Sequence, residues 1–257
     1  MPLATRTAAL AGAVGLCAAA GAQPVEIGVI VESLAPEMGT FQTPFWVGFH
    51  DGSFDTYDLG SPASPALERI AEDGNAGPLR SLFAGPGRVD GVIATSDGVP
   101  PFGPGERAQM SFTLDAADNK FFSYASMLIP SNDAFVANGN PLAHQIISDT
   151  GALMPTSFVI MGSAVLDAGT EVNTEIPEHT AFFGQMTPDT GVDEGGVVHA
   201  HPGFMPPGSG GILDDPMFAA ADFTAAGYQV ARITIVPAPG AMALGGLGLL
   251  TLARRRR

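Results

Sequence analysis

Apolar and polar residues alternate along several short stretches of this chain. Met110, Phe112 and Leu114 alternate with Gln109, Ser111 and Thr113, and Ala231, Ile233 and Ile235 alternate with Arg232 and Thr234. Successive side chains of a strand point to opposite faces, so each stretch predicts a strand with one buried face. Residues 25–31 are rich in Val and Ile and predict an opening strand. Residues 121–129 and 157–165 are more continuously apolar, as central strands would be. Helical signal is confined to residues 65–72, with Ser64 as the cap, Pro65 in the first turn and Gly74 at the end. Many short strands joined by turns predict an all-β fold, an antiparallel β-sandwich with long loops at 50–64 and 184–222. No repeat and no low-complexity linker divides the stretch, so residues 23–235 read as one domain.

Composition agrees with this picture. Hydrophobic residues make up 46% and charged residues only 14%, with 33 Gly and 22 Pro. The formal net charge is −15. Five of the 11 basic residues, Arg6 and Arg254 to Arg257, lie at the ends; the remaining six face 26 acidic residues, so the body carries about −20. Such a surface repels a nucleic-acid backbone, which excludes nucleic acid as a partner, and attracts cations. Cys17 is the only cysteine and sits in the N-terminal apolar stretch. The body therefore has neither a disulfide framework nor a thiolate metal site.

The two ends read as addresses. Residues 1–22 have the form of a signal peptide: Arg6, an apolar stretch from Ala8 to Ala20, and a small-x-small site at Ala20-Gly21-Ala22. Residues 236–257 combine a Pro-rich stop, an apolar run from Ala241 to Ala253 and the Arg254–Arg257 cluster. The run is short for a membrane span of roughly 17–25 residues, but counting from Val236 nearly reaches it. The basic cluster would stay cytoplasmic. This tail resembles the PEP-CTERM sorting signal, with Ala238 where that signal usually has Glu. The resemblance implies export through the inner membrane of a Gram-negative-type bacterium, transient membrane anchoring and an exosortase-type processing enzyme as partner.

Within the body, Ser131-Asn132-Asp133-Ala134-Phe135 follows the apolar run ending Met127-Leu128-Ile129-Pro130, and Asp167-Ala168-Gly169-Thr170-Glu171 comes later. Together with Thr43-Pro44-Phe45-Trp46-Val47-Gly48-Phe49-His50, these segments resemble the spondin N-terminal domain family, in its bacterial stand-alone form. The resemblance spans roughly residues 25–235. It implies a β-sandwich with a calcium ion at one end and a role in adhesion to extracellular matrix or other cell-surface components, without catalysis. It maps the metal ligands onto Asp133, Asp167 and Glu171; family members often have Asp where Glu171 stands. Calcium takes about six to eight hard oxygen ligands, which carboxylates on two loops can supply. Gly169 permits the unusual backbone angles that such a loop needs.

Other residues offer competing chemistry. His199 and His201 form an alternating pair that would bind zinc given a third ligand such as His179 or Asp193, but no HExxH pattern is present. Asp189 to Gly195 looks like a fragment of a calcium loop without EF-hand spacing, and reads better as a solvated turn. Asp214-Asp215-Pro216 reads as another turn. No GxSxG elbow is present and no thiol nucleophile remains in the body. The alternative function is a secreted hydrolase of extracellular polysaccharide, using a carboxylate pair defined only in space. Phe45, Trp46 and Phe49 would then form a sugar platform, although their strand context favours a core role.

Overall fold

The computed structural model describes residues 24–95 and 101–238. Its strands are β1 (Val25–Ser33), β2 (Phe41–Gln42), β3 (Phe45–His50), β4 (Val89–Ile93), β5 (Arg107–Leu114), β6 (Phe121–Ile129), β7 (Ala134–Ala137), β8 (Thr156–Met161), β9 (Leu166–Asp167), β10 (His199–Ala200) and β11 (Gln229–Pro237). Two helices, α1 (Pro65–Asp73) and α2 (Gly77–Phe83), lie between β3 and β4.

The strands form two antiparallel sheets. One has the order β5-β1-β11-β8; the other has the order β10-β9-β7-β6-β3-β4, with β2 also paired to β6. Ile27, Val29, Val31, Phe112, Ile233 and Ile235 from the first sheet share one buried cluster with Phe45, Val47, Phe49, Phe122, Tyr124 and Val136 from the second. Two sheets across a common apolar core are consistent with an all-β sandwich.

The second sheet is covered on both faces, which explains its apolar runs. Every residue of β3 is buried. Phe45, Val47 and Phe49 face the first sheet, whereas Trp46 joins a separate cluster with Leu67 and Ile70 of α1, Leu79 and Phe83 of α2, and Phe135 of β7. A strand buried on both sides loses its alternation of apolar and polar residues. The Ser64 side chain accepts a hydrogen bond from the Leu67 N–H, and Gly74 closes α1 at φ +64°, as expected. The second helix was not anticipated; Gly77 to Phe83 is too short to show a periodic stripe. The apolar run at 157–165 is not one strand: β8 ends at Met161, a 3-10 turn follows at Gly162–Ala164, and the chain then enters β9 in the other sheet. β11 continues through Val236 and Pro237, opposite Gly28 and Ile27. The signal read at residues 1–22 and the tail beyond Ala238 lie outside the described residues. Among the described residues, no helix is long and apolar enough to cross a membrane.

His50, at the end of β3, is fully buried. Its Nδ1 accepts from the Gly52 N–H at 2.9 Å, so the ring proton sits on Nε2, which bonds the Ser123 hydroxyl at 2.9 Å. Burial, helped by the Arg88 charge, lowers the His50 pKa to about 4. The unfolded chain therefore takes up the proton first. The contribution of the neutral ring is complete above pH 6.5 and is lost as pH falls towards 4, by up to roughly 3 kcal/mol. Urea melts at pH 7.5 and 4.5 check this against His50→Gln, so that other titrating groups cancel. The parent is expected to lose more stability than the variant, and equal losses would refute the assignment.

Candidate metal centre

The site begins where β6 ends. The Ser131 hydroxyl donates to the Leu128 carbonyl at 2.5 Å and accepts from the Ala134 N–H at 3.1 Å, shaping the turn into β7. Asp133, within this turn, is fully buried. β7 pairs antiparallel with β9, with Ala134 opposite Asp167, so the two aspartates meet although 34 positions apart in sequence. Beyond Asp167 the chain curls. Gly169 lies at φ +67°, and a Cβ there would fall 2.5 Å from the Val197 nitrogen. Only glycine meets both demands.

The curl points backbone donors at the carboxylates. Asp133 Oδ2 accepts from the N–H groups of Thr170 (2.8 Å) and Glu171 (3.1 Å) and from the Thr170 hydroxyl (3.3 Å). Asp167 Oδ1 accepts from the Gly169 N–H at 2.7 Å, and its Oδ2 from the Asn173 amide at 2.5 Å. Asp133 Oδ1 is buried and has no hydrogen-bond partner. Burial and the Asp167 charge raise the Asp133 pKa to about 6.

A third carboxylate comes from a loop. Oxygens of Asp133, Asp167 and Glu194 lie within 4.8 Å of one another, close enough to share a metal ion. The Glu194 N–H donates to the Thr170 carbonyl at 2.9 Å and the Gly196 N–H to the Gly169 carbonyl at 2.7 Å, which holds the loop against the curl. Glu194 belongs to the segment read from sequence as a solvated turn. The segment is indeed exposed. Its resemblance to a calcium-loop fragment was the one signal pointing to a ligand.

Glu171 sits beside this trio and is not part of it. Its Oε1 accepts from the Gly191 N–H at 2.9 Å, while Oε2 is buried without a partner. Burial raises the Glu171 pKa to about 7, and the Asp133 charge adds to the rise. The two partnerless oxygens, Asp133 Oδ1 and Glu171 Oε2, give this end of the fold buried negative charge that its own donors leave unsatisfied. An oxygen-seeking cation answers that need, so the residues present fit a metal ion.

A second acidic group, Glu68, Glu72 and Asp189, lies nearby but contains its own cation. The Arg69 guanidinium contacts Glu72 and reaches Asp73 at 2.9 Å and Asp189 at 3.2 Å. Burial still raises the Glu72 pKa to about 8, against the pull of Arg69.

The histidine pair is otherwise occupied. His201 is buried against Phe204 and Phe223; its Nδ1 accepts from the Gly203 N–H at 3.0 Å, which leaves Nε2 to donate to Asn173 Oδ1 at 3.2 Å. Neither ring nitrogen of His201 is free for zinc. His199 is exposed, with Nδ1 2.9 Å from the Val197 carbonyl oxygen and 3.8 Å from Asp167 Oδ1. No His joins a metal-capable group among the described residues. Asp193 pairs instead with Glu171 in an isolated bridge.

No family model and no curated protein matches this chain.

One further carboxylate organises the long loop. Glu175, at φ +50° and nearly buried, accepts from the Met205 N–H at 2.5 Å through Oε1 and from the Ile212 N–H at 2.8 Å through Oε2. Nothing in the sequence pattern marks it. Glu175→Gln turns an amide donor toward one of those N–H groups and is expected to destabilise the protein by about 2 kcal/mol. Chemical denaturation checks this; an unchanged midpoint would remove Glu175 from its role.

Proposed function

We propose that the chain is a secreted or cell-surface calcium-binding adhesion module of the spondin type, and not an enzyme. One observation carries the reading. Asp133 has a buried, partnerless carboxylate oxygen, Oδ1, and its carboxylate lies within metal-sharing distance of a second one from a different loop, the arrangement expected where a hard cation belongs. In this reading Asp133 and Asp167 hold Ca2+, and Glu171, which sits beside their group, turns in as a further ligand when the ion binds. Every donor is an oxygen, which favours calcium over soft or nitrogen-seeking metals. The ion fixes the loops at one end of the sandwich, and those loops contact a matrix component, a polysaccharide or another cell. Residues 1–22 export the protein; residues 236–257 anchor it transiently for an exosortase-type enzyme.

The test is retention of the purified protein on extracellular polysaccharide or on cells. Retention is expected in calcium and loss in chelator. Equal behaviour in both would count against a calcium-dependent adhesion role.

One observation favours the second reading, a secreted polysaccharide hydrolase. Glu72, with its raised pKa, lines a cavity of about 340 Å³ with Glu68, Asp189 and Asp193. Against it, Arg69 holds Glu72, and the described lining contains no aromatic ring for a sugar to stack on. Release of reducing ends that disappears in Glu72→Gln would favour the hydrolase.

A further inference from the structure

We infer that Glu194 is a metal ligand, and that the cation acts as a clasp pinning the exposed loop 189–196 to the curl at 167–171. The inference rests on the calcium reading above and extends it from the buried aspartates to an exposed turn.

The geometry has three parts. First, Asp133 is fully buried, its Oδ1 has no partner, and its carboxylate belongs to the oxygen group completed by Glu194. Second, Glu194 reaches that group from an exposed stretch in which residues 192–195 are all exposed. Three carboxylates within 4.8 Å repel one another unless a cation or protons lie between them. A side chain free to turn to solvent stays there only if something positive draws it in. Third, the loop is fastened to the body through the same short stretch that grips Asp133. Val172 donates to the Val192 carbonyl at 2.8 Å, Glu194 to Thr170 at 2.9 Å, Gly196 to Gly169 at 2.7 Å and Gly191 to the Glu171 carboxylate at 2.9 Å. An ion shared by Asp133, Asp167 and Glu194 therefore ties together both sides of that seam.

The seam also borders the acidic cavity. Gly169 and Thr170 on one side and Asp189, Asp193 and Gly195 on the other are among its walls. The clasp makes this concave surface a property of the ion-bound protein. That gives calcium a means of switching what the loop end presents to a partner.

Two readouts on the purified full chain test the clasp. Hydrogen exchange is followed by mass spectrometry on peptides covering Gly191, Glu194 and Gly196, in calcium and in chelator. Calcium affinity is measured by calorimetry for the parent, Glu194→Gln and Asp149→Asn. In the parent, calcium is expected to slow exchange in this loop at least ten-fold. Glu194→Gln is expected to weaken calcium ten-fold or more and to abolish that protection; Asp149→Asn, which removes an exposed carboxylate paired with Lys120, is expected to match the parent. If the parent binds calcium but the loop exchanges equally fast with and without it, or if Glu194→Gln binds as the parent does, the clasp is refuted and the calcium site stands. If the parent binds no calcium, both fall.

Discussion

Asp133→Asn is expected to remove calcium binding and to leave the metal-free protein at least as stable as the parent. The two effects have one origin. Asp133 is fully buried, and although Oδ2 receives two backbone N–H groups and a hydroxyl, Oδ1 receives nothing. Its pKa lies at about 6 against 3.8 for the ordinary group. The folded state thus holds the proton more tightly than the unfolded chain. The associated stability is full below pH 3.8 and is lost as pH rises through about 6, so at neutral pH the metal-free parent carries an unfavourable charge. Asparagine keeps an acceptor for the Thr170 and Glu171 N–H groups and can turn its amide toward Asp167, relieving that charge. Calcium then has little to gain. For the parent, calcium at about a thousand times its Kd stabilises by about 4 kcal/mol. For a domain of this size that corresponds to a rise in Tm of about 8–16 °C. Thermal melts of both proteins in calcium and in chelator read the difference. A variant that keeps the parent's calcium response would show that Asp133 is not a ligand.

Trp46→Ala is expected to cost about 3–5 kcal/mol, the range for emptying a large aromatic site in a core. Trp46 is fully buried, lies 5.1 Å from the Phe83 ring centroid at 76° and 5.8 Å from that of Phe54, and donates its indole N–H to Asp90 Oδ2 at 3.1 Å. The indole also packs over Gly48, where a Cβ would come within 2.7 Å of the ring. The substitution therefore leaves a hole between the second sheet and both helices, and strands the Asp90 oxygen beside Arg80 alone. Phe45 and Phe49 are equally buried, so none of the three aromatics offers a face to a sugar. Denaturant unfolding measures the loss. A change under 1 kcal/mol would mean that Trp46 is not the keystone of the outer cluster.

The strands with one wet face were legible because alternation records a single buried side: Phe112 and Leu114 in β5 and Ala231, Ile233 and Ile235 in β11, although Met110, expected on the buried side of β5, is exposed. β6 showed as an apolar run, but not why, since the helices covering the second face come from residues 65–83 and one of them was too short to read. At the site, Asp133, Asp167 and Glu171 were reached through a family resemblance, and the β7–β9 pairing brings the first two together. Glu194 was not reached. Its place depends on backbone bonds from Glu194 and Gly196 to Thr170 and Gly169, which no spacing in the chain encodes. Glu175 was missed for the same reason: its partners, Met205 and Ile212, are backbone groups that look like any others in a sequence.

The most direct measurement is a calcium titration of the metal-free parent by calorimetry, with the melting temperature followed alongside. Saturation is expected at one ion per chain, with a melting temperature that climbs with calcium and falls back when chelator is added. A flat titration together with an unmoved melting temperature would contradict it.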